Sequence, residues 1–313
     1  MFRTSKQEIL ADFGFDRDPF KKTFVESTDY KRINKVVGMA VNDRAMVAVV
    51  GERGIGKSYA VRSTLRKIRD VRLVCPLAND INKLLIGDIE QALILDLGNE
   101  KPKRGREIRA RQLRRILGEA STRKAVVLVI EEAHHLHGLT LRSLKRIREM
   151  EWMGNAELLS IILVGQSDPL NKPGVSEVRL RADSIHMRGL SQEEIRAFIG
   201  HSTSHVFDQK AVDVISKLPN AHNYEDLKTI LFQLMEHALF SGRKEVTVED
   251  IKSVFADKDL MDIYREAGME TRLRRTGKKE KKAAEKDQTG QLTGFLKDHQ
   301  KDSSSVSQKV VNG

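Results

Sequence analysis

One cysteine, Cys75, occurs in 313 residues, which excludes a disulfide framework and a cysteine-rich zinc module. Its expected place is a buried strand. No apolar run approaches the roughly 18 residues of a membrane-spanning helix, so no span is expected. The N-terminal stretch MFRTSKQEILADFGF contains acids and has no apolar signal core, which argues against secretion. Internal repeats are missing too. These absences predict a cytoplasmic protein without a membrane partner.

Charge is what the chain has in abundance. Charged residues make up 32% and hydrophobic residues 40%, the balance of a soluble globular protein with a heavily charged surface. The length suits one large domain or two modest ones. Lys and Arg number 55 against 44 Asp and Glu, a net charge of +11. That excess favours a polyanionic partner such as nucleic acid, or an acidic membrane surface, provided the basic residues cluster.

Four apolar runs read as strands: 46–50 (MVAVV), 71–75 (VRLVC), 125–130 (AVVLVI) and 159–165 (LSIILVG). Helical periodicity fills the gaps, and residues 29–42 read as a helix leading into the first strand. Near-continuous apolar strands separated by helices predict an α/β core with a parallel sheet buried on both faces. Ahead of it, FGFDRDPF alternates apolar anchors with charges, and its proline is expected to stop any helix. After Leu190 the strand signals end. Ser191 with Glu194 forms a capping box, Asp208 is a candidate cap, YEDLKTILFQLMEHALFSG reads as a long helix, and Thr247 with Asp250 starts another. The expected organisation is an arm (1–28), an α/β core (29–189), a small helical domain (190–256) and a basic, mostly disordered tail (257–313). The tail's apolar island LTGFLKD reads as an accidental cluster or a short docking element.

Chemistry enters with GERGIGKS, which matches the phosphate-binding P-loop pattern and sits between a strand and an amphipathic helix, as that motif requires. The candidate nucleotide-binding residues are Gly51, Glu52, Arg53, Gly54, Ile55, Gly56, Lys57, Ser58 and Tyr59. Glycines let the backbone wrap phosphates, Lys57 neutralises the β- and γ-phosphates, and Ser58 holds Mg²⁺. Such a site needs an acid at the tip of another buried strand. Glu131 fills that place as the second metal ligand, and Glu132 is the candidate to orient and polarise the attacking water. Gln166, at the end of the next strand, is a candidate sensor of the γ-phosphate or the water. His134, His135 and His137 follow the acids. A zinc site needs matched ligands, no cysteine lies nearby, and both acids are already assigned, so packing and polar support are the expected roles.

FGFDRDPF, GERGIGKS, VVLVIEEAHHL, IILVGQSDPL and MRGLSQEEIRAFI together resemble the AAA+ ATPases, within them the ExeA/TnsC/MuB-like group, over about residues 10–256. That resemblance implies a P-loop AAA+ core with a small C-terminal helical lid, and ATP and Mg²⁺ as cofactors. Three departures stand out. Members usually carry Asp where this chain has Glu131, so slow hydrolysis is expected. Before the lid, EVRLRADSIHMRGLS offers Arg181 as the first candidate for a trans-acting arginine finger and Arg179 as the second. LPNAHNYEDL supplies no lid arginine, so no such sensor is assigned.

Residues 101–115, KPKRGREIRARQLRR, hold eight basic residues and one acid. LRSLKRIREM adds Arg142, Lys145, Arg146 and Arg148, and the tail adds more. Lys103, Arg104, Arg111, Arg114, Arg115 and Lys145 are the candidate DNA contacts, binding phosphate without reading sequence. The function implied is an ATP-dependent, largely non-sequence-specific DNA-binding ATPase. It would oligomerise as a ring or filament on duplex DNA and assist a transposase in target selection or activation. A secretion-associated ATPase and a nucleotide-gated DNA scaffold with little hydrolysis remain the alternatives.

Overall fold

The computed structural model describes residues 5–77, 84–203 and 205–256. Its strands are β1 (Met46–Val50), β2 (Val71–Val74), β3 (Ala125–Ile130), β4 (Ser160–Gly165) and β5 (Ala182–His186). They form one sheet in the order β2-β3-β4-β1-β5, and every pairing is parallel. The helices are α1 (Lys6–Asp12), α2 (Pro19–Lys22), α3 (Thr28–Asn42), α4 (Lys57–Lys67), α5 (Ile86–Leu97), α6 (Arg106–Ser121), α7 (Gly138–Arg148) and α8 (Ser176–Arg179). After the sheet come α9 (Gln192–Thr203), α10 (Gln209–Ile215), α11 (Tyr224–Phe240) and α12 (Val248–Ala256). No described helix is long and apolar enough to cross a membrane.

The apolar strands serve two cores at once. Alternate residues Ala48, Leu128 and Leu163 join a cluster with Leu93 of α5, Leu117 of α6 and Leu144 of α7. Their neighbours Val49, Val127 and Ile162 join another with Ile33 of α3 and Val61 of α4. Each buried Val, Leu or Ile among them contributes about 1.5–3 kcal/mol, so a polar residue on either face of β1 or β3 would be costly. The expected strands 46–50 and 125–130 are observed at those bounds, and 159–165 begins one residue later.

β5 was not expected from sequence. It is an edge strand in which Ile185 alone is buried, so its sequence ADSIH lacks the apolar run by which the others are recognised. Cys75 lies one residue past β2 and is only partly covered, not within a buried strand as expected. That partial burial still pushes its thiol up from the ordinary value.

The N-terminal arm also differs from expectation. Pro19 does not merely stop a helix; it opens α2 at the first helical position, where a missing N–H costs nothing, with Asp18 Oδ1 accepting from the Phe20 N–H at 2.9 Å. Phe20 is buried, stacked on Phe198 at 6.1 Å and edge-on to Phe232 at 5.1 Å. The arm is thereby pinned to α9 and α11.

Two contacts fasten the connection from β5 to the helices after it. Asp29, near the start of α3, accepts from the Arg188 and Gly189 N–H groups at 2.5 and 2.9 Å. The Ser191–Glu194 capping box forms as expected, and the same Glu194 accepts from the Thr28 N–H and hydroxyl. Residues up to Ile251 form one compact unit. The expected basic tail and its LTGFLKD island lie outside the described residues.

Candidate nucleotide site and the basic faces

Register decides what meets at the top of the sheet. Val50 stands opposite Gly165, and Ile130 opposite Leu163, so the residues that leave β1, β3 and β4 emerge side by side. They are the P-loop, the two acids and Gln166. In a parallel sheet this carboxyl edge is where ligands bind, at the point where the strand order reverses.

Gly54 and Gly56 take φ of +81° and +96°, the left-handed region that a side chain resists. Gly56 is the N-cap of α4, and no side chain caps that helix. The Gly54, Ile55 and Gly56 N–H groups meet no acceptor among the described residues, leaving a row of donors at a helix N-terminus. Lys57 is 9% exposed, and its Nζ donates to the Glu52 carbonyl oxygen at 2.6 Å. Burial holds its ammonium below the usual lysine range, although Glu132, Glu131 and Glu52 act in the opposite sense. An arriving phosphate would add to that opposing effect.

Ser58 and Glu131, the two expected metal ligands, meet directly. The Ser58 hydroxyl donates to Glu131 Oε2 at 2.7 Å, and Arg62 donates to Oε1 at 3.2 Å. A hydroxyl and a carboxylate are the hard oxygen donors that Mg²⁺ takes alongside nucleotide phosphates. With Lys57 and the free amides beside them, the residues present fit a magnesium–nucleotide complex.

Glu132 adopts a left-handed backbone (φ +51°) as the chain turns from β3 into the 3-10 turn Ala133–His135. Its Oε2 is 3.4 Å from His134 Nδ1, which also accepts from the Gln166 N–H at 3.4 Å. The Gln166 bond links the tips of β3 and β4; burial and then His135 hold the His134 imidazole below its ordinary value, although Glu132 acts in the opposite sense. His137 has a separate task, its Nδ1 capping α7 by accepting from the Leu139 N–H at 3.2 Å. Polar support is therefore visible for two of the histidines. Glu132, His134 and His135 nonetheless place ligand atoms within 4.8 Å of one another, closer than the sequence pattern implied.

A cavity of about 430 Å³ opens beside these groups. Lys57, Ser58, Glu131, Glu132 and Gln166 line it together with Phe24, Met187, Phe198 and Tyr224, and Tyr59 of α4. The volume and the mixture of polar and apolar lining suit a nucleotide-sized ligand. Phe24 packs edge-on to Tyr30 at 4.8 Å and lies 5.7 Å from Tyr59. Burial pushes the Tyr224 hydroxyl up to about 12 despite a hydrogen bond with Ser27. The sequence reading missed Phe20, Phe24, Tyr30, Asn223 and Tyr224. The one available signal was scarcity: with 5% aromatics, PFKKTF is dense in rings.

Arg181 stands outside the cavity between α8 and β5, donating to Glu149 Oε1 at 2.6 Å. Arg179 ends α8 and is exposed.

The basic faces are more neutralised than their sequence windows imply. Arg111 pairs with Glu107, and Arg115 pairs with Glu100 and Glu119. Arg114 donates to the Glu151 carbonyl oxygen at 2.6 Å. Lys145 has a 19% exposed side chain 3.5 Å from Glu177, and Arg148 is buried against Glu157, which withdraws it from the basic cluster expected in LRSLKRIREM. Lys103 and Arg104 remain exposed with no ion pair among the described residues, although Lys103 acts electrostatically on Glu100. Exposed ion pairs are worth about 0–1 kcal/mol, so a phosphate can replace the glutamates on α6.

Residues 41–172 match the family model for an AAA domain, a span that holds the P-loop, both acids and Gln166. No curated protein matches the chain by sequence. Among solved structures, Cdc6p from Pyrobaculum aerophilum is similar at TM-score 0.54 and 16% identity, over 78% of this chain and 69% of that one. Drosophila ORC bound to DNA gives 0.56 and 14%, over 81% and 66%. The Aeropyrum pernix ORC1 protein in complex with DNA gives 0.50 and 17%, over 82% and 71%. At such identities the likeness is one of fold. The sheet order, the strand–loop–helix at Gly51–Ser58 and these similarities together show an AAA domain in the AAA+ P-loop fold.

Proposed function

We propose that this chain is an ATP-dependent, largely non-sequence-specific DNA-binding ATPase that assembles on duplex DNA and assists a transposase in selecting or activating a target. The observation that carries the nucleotide half is the Ser58–Glu131 contact beside Lys57 in the lining of the cavity. Ser58 and Glu131 would hold Mg²⁺, which supplies charge neutralisation on the triphosphate. Lys57 releases the Glu52 carbonyl and turns to phosphate, and the free loop amides cradle it. Glu132 orients a water toward the γ-phosphorus and accepts its proton as the bond to the β-phosphate oxygen breaks. Gln166 would report the γ-phosphate, and the rings that line the cavity would receive the base. Arg181 is offered to the nucleotide of a neighbouring copy, which makes hydrolysis depend on assembly.

The DNA half rests on the net charge of +11, on the exposed Lys103 and Arg104, and on the exchangeable arginines of α6. Two of the similar structures hold DNA, which is consistent with such use of the fold. Transposase assistance rests on the resemblance carried by the arm and by VVLVIEEAHHL.

The test is a salt-titrated duplex-binding assay without nucleotide, with ADP and with a non-hydrolysable ATP analogue. The analogue should give the tightest binding, falling steeply as salt rises. Equal, salt-insensitive retention in all three conditions would remove the proposal.

A further inference from the structure

The Arg53–Gly54 peptide is gripped from across the cavity mouth. Asn223, 4% exposed, is the N-cap of α11. Its Oδ1 accepts from the Glu225 N–H at 3.0 Å, while its Nδ2 donates to the Arg53 carbonyl oxygen at 2.7 Å. One partner is a donor and the other an acceptor, so only this orientation of the amide satisfies both. Each half of the side chain therefore has its own task. The oxygen starts the helix and the nitrogen holds the loop.

A planar trans peptide points its carbonyl and its N–H in opposite directions. Fixing the Arg53 carbonyl toward α11 turns the Gly54 N–H away from α11, and that N–H meets no acceptor among the described residues. The approach is close. A Cβ at Gly54 would stand 2.7 Å from Asn223 Oδ1 and 2.9 Å from Glu225 Cβ. Neighbouring contacts brace the same junction: His222 Nε2 lies 3.3 Å from Glu52 Oε2, and the Leu190 N–H donates to the His222 carbonyl oxygen at 2.8 Å.

We infer that Asn223 is a positioning residue of the phosphate loop. It presents the Gly54 N–H to the nucleotide's phosphates and couples the start of α11 to nucleotide binding. The inference rests on the proposed phosphate role of the loop. Serine and aspartate cap a helix about as well as asparagine. Aspartate has no donor, and serine has one oxygen on a shorter side chain, which cannot stand at both amide positions, so the choice of asparagine fits the tether as well as the cap.

The full chain with Asn223→Ser, Asn223→Asp or Asn223→Ala separates the two tasks. Binding of fluorescent (mant) ADP and the thermal midpoint are measured for each. Asn223→Ser keeps the cap and loses the tether. Its midpoint should stay near that of the parent while affinity falls about tenfold, the worth of one net hydrogen bond at the upper end of its range. Asn223→Asp should lose more affinity, because a carboxylate would face the Arg53 carbonyl. Asn223→Ala should lose both affinity and midpoint. Affinity of Asn223→Ser within twofold of the parent would overturn the inference, as would affinity losses that follow the midpoint across the three variants. If the parent itself binds no mant-ADP, the phosphate-loop reading fails and this inference falls with it. If the parent binds and Asn223→Ser binds equally, the inference alone falls.

Discussion

Replacing Gly54 by alanine tests whether the phosphate loop and α11 touch as closely as the geometry states. Two separable costs follow. The first is backbone strain: φ is +81°, and a Cβ in the left-handed region costs roughly 1–2 kcal/mol. The second is contact. The new methyl would stand 2.7 Å from Asn223 Oδ1 and 2.9 Å from Glu225 Cβ, so α11 must retreat. Retreat breaks the Asn223–Arg53 hydrogen bond, worth about 1 kcal/mol net. Together about 2–3 kcal/mol is at stake, which at about 1.4 kcal/mol per decade is roughly 30- to 150-fold in an equilibrium that requires the intact loop. Gly242 is the control, since it has φ of +70° and nothing within 4 Å of its would-be Cβ. Gly242→Ala should show the strain cost in chemical denaturation and leave nucleotide affinity alone. Gly54→Ala should show a larger stability loss and a fall in mant-ADP affinity of roughly 30- to 150-fold. If Gly54→Ala binds within twofold of the parent and is no less stable than Gly242→Ala, the contact argument is wrong.

Three other perturbations bear on the site and its scaffold. Glu132→Gln should retain ATP-dependent DNA binding but prolong it, with phosphate release reduced by at least about a hundredfold, a scale usual for loss of a general base; unchanged turnover would remove Glu132 from its role. Glu131→Asp draws the carboxylate back by about 1.5 Å, one bond length, from the Ser58 hydroxyl, and turnover should be kept or rise, whereas complete loss would show that the longer side chain is required. Asp250 has a side chain with no exposure, and burial alone would raise its carboxyl. The Thr247 amide and hydroxyl, His237 and Arg243 outweigh that and hold it below the usual range. A depressed folded value stabilises above the unfolded pKa of about 3.9 and is lost as pH falls through the folded one. Denaturation midpoints should therefore drop more steeply below about pH 4 in the parent than in Asp250→Asn, and parallel curves would refute the network.

The division between what was legible and what was hidden follows distance along the chain. β1, β3 and β4 could be read from sequence because each is a short apolar run whose alternate residues feed two buried clusters. The P-loop was legible because its glycines, lysine and serine answer to a local turn and to the helix it opens. Glu131 and Glu132 follow from being the first residues past a buried strand, and the Ser191–Glu194 box from chemistry three residues wide. The weaker local signals failed where neighbours decide the outcome. β5 has a single buried side chain and exists because β1 offers it an edge. Cys75 leaves its strand one residue early, and Pro19 starts a helix because Asp18 caps it.

Sequence alone thus determined the strand order's raw material, the phosphate loop and the pair of acids, all of which depend on residues within one element. Tertiary structure alone decided the rest of the site. Asn223 reaches Arg53 across 170 positions, and Phe24 lines the cavity from an arm that packs on α9 and α11. Glu100 and Glu177 approach Arg115 and Lys145 from outside their own basic windows. A run of charge in sequence counts only its own members. Folding adds the partners, because an ion pair depends on separation in space and not on separation along the chain.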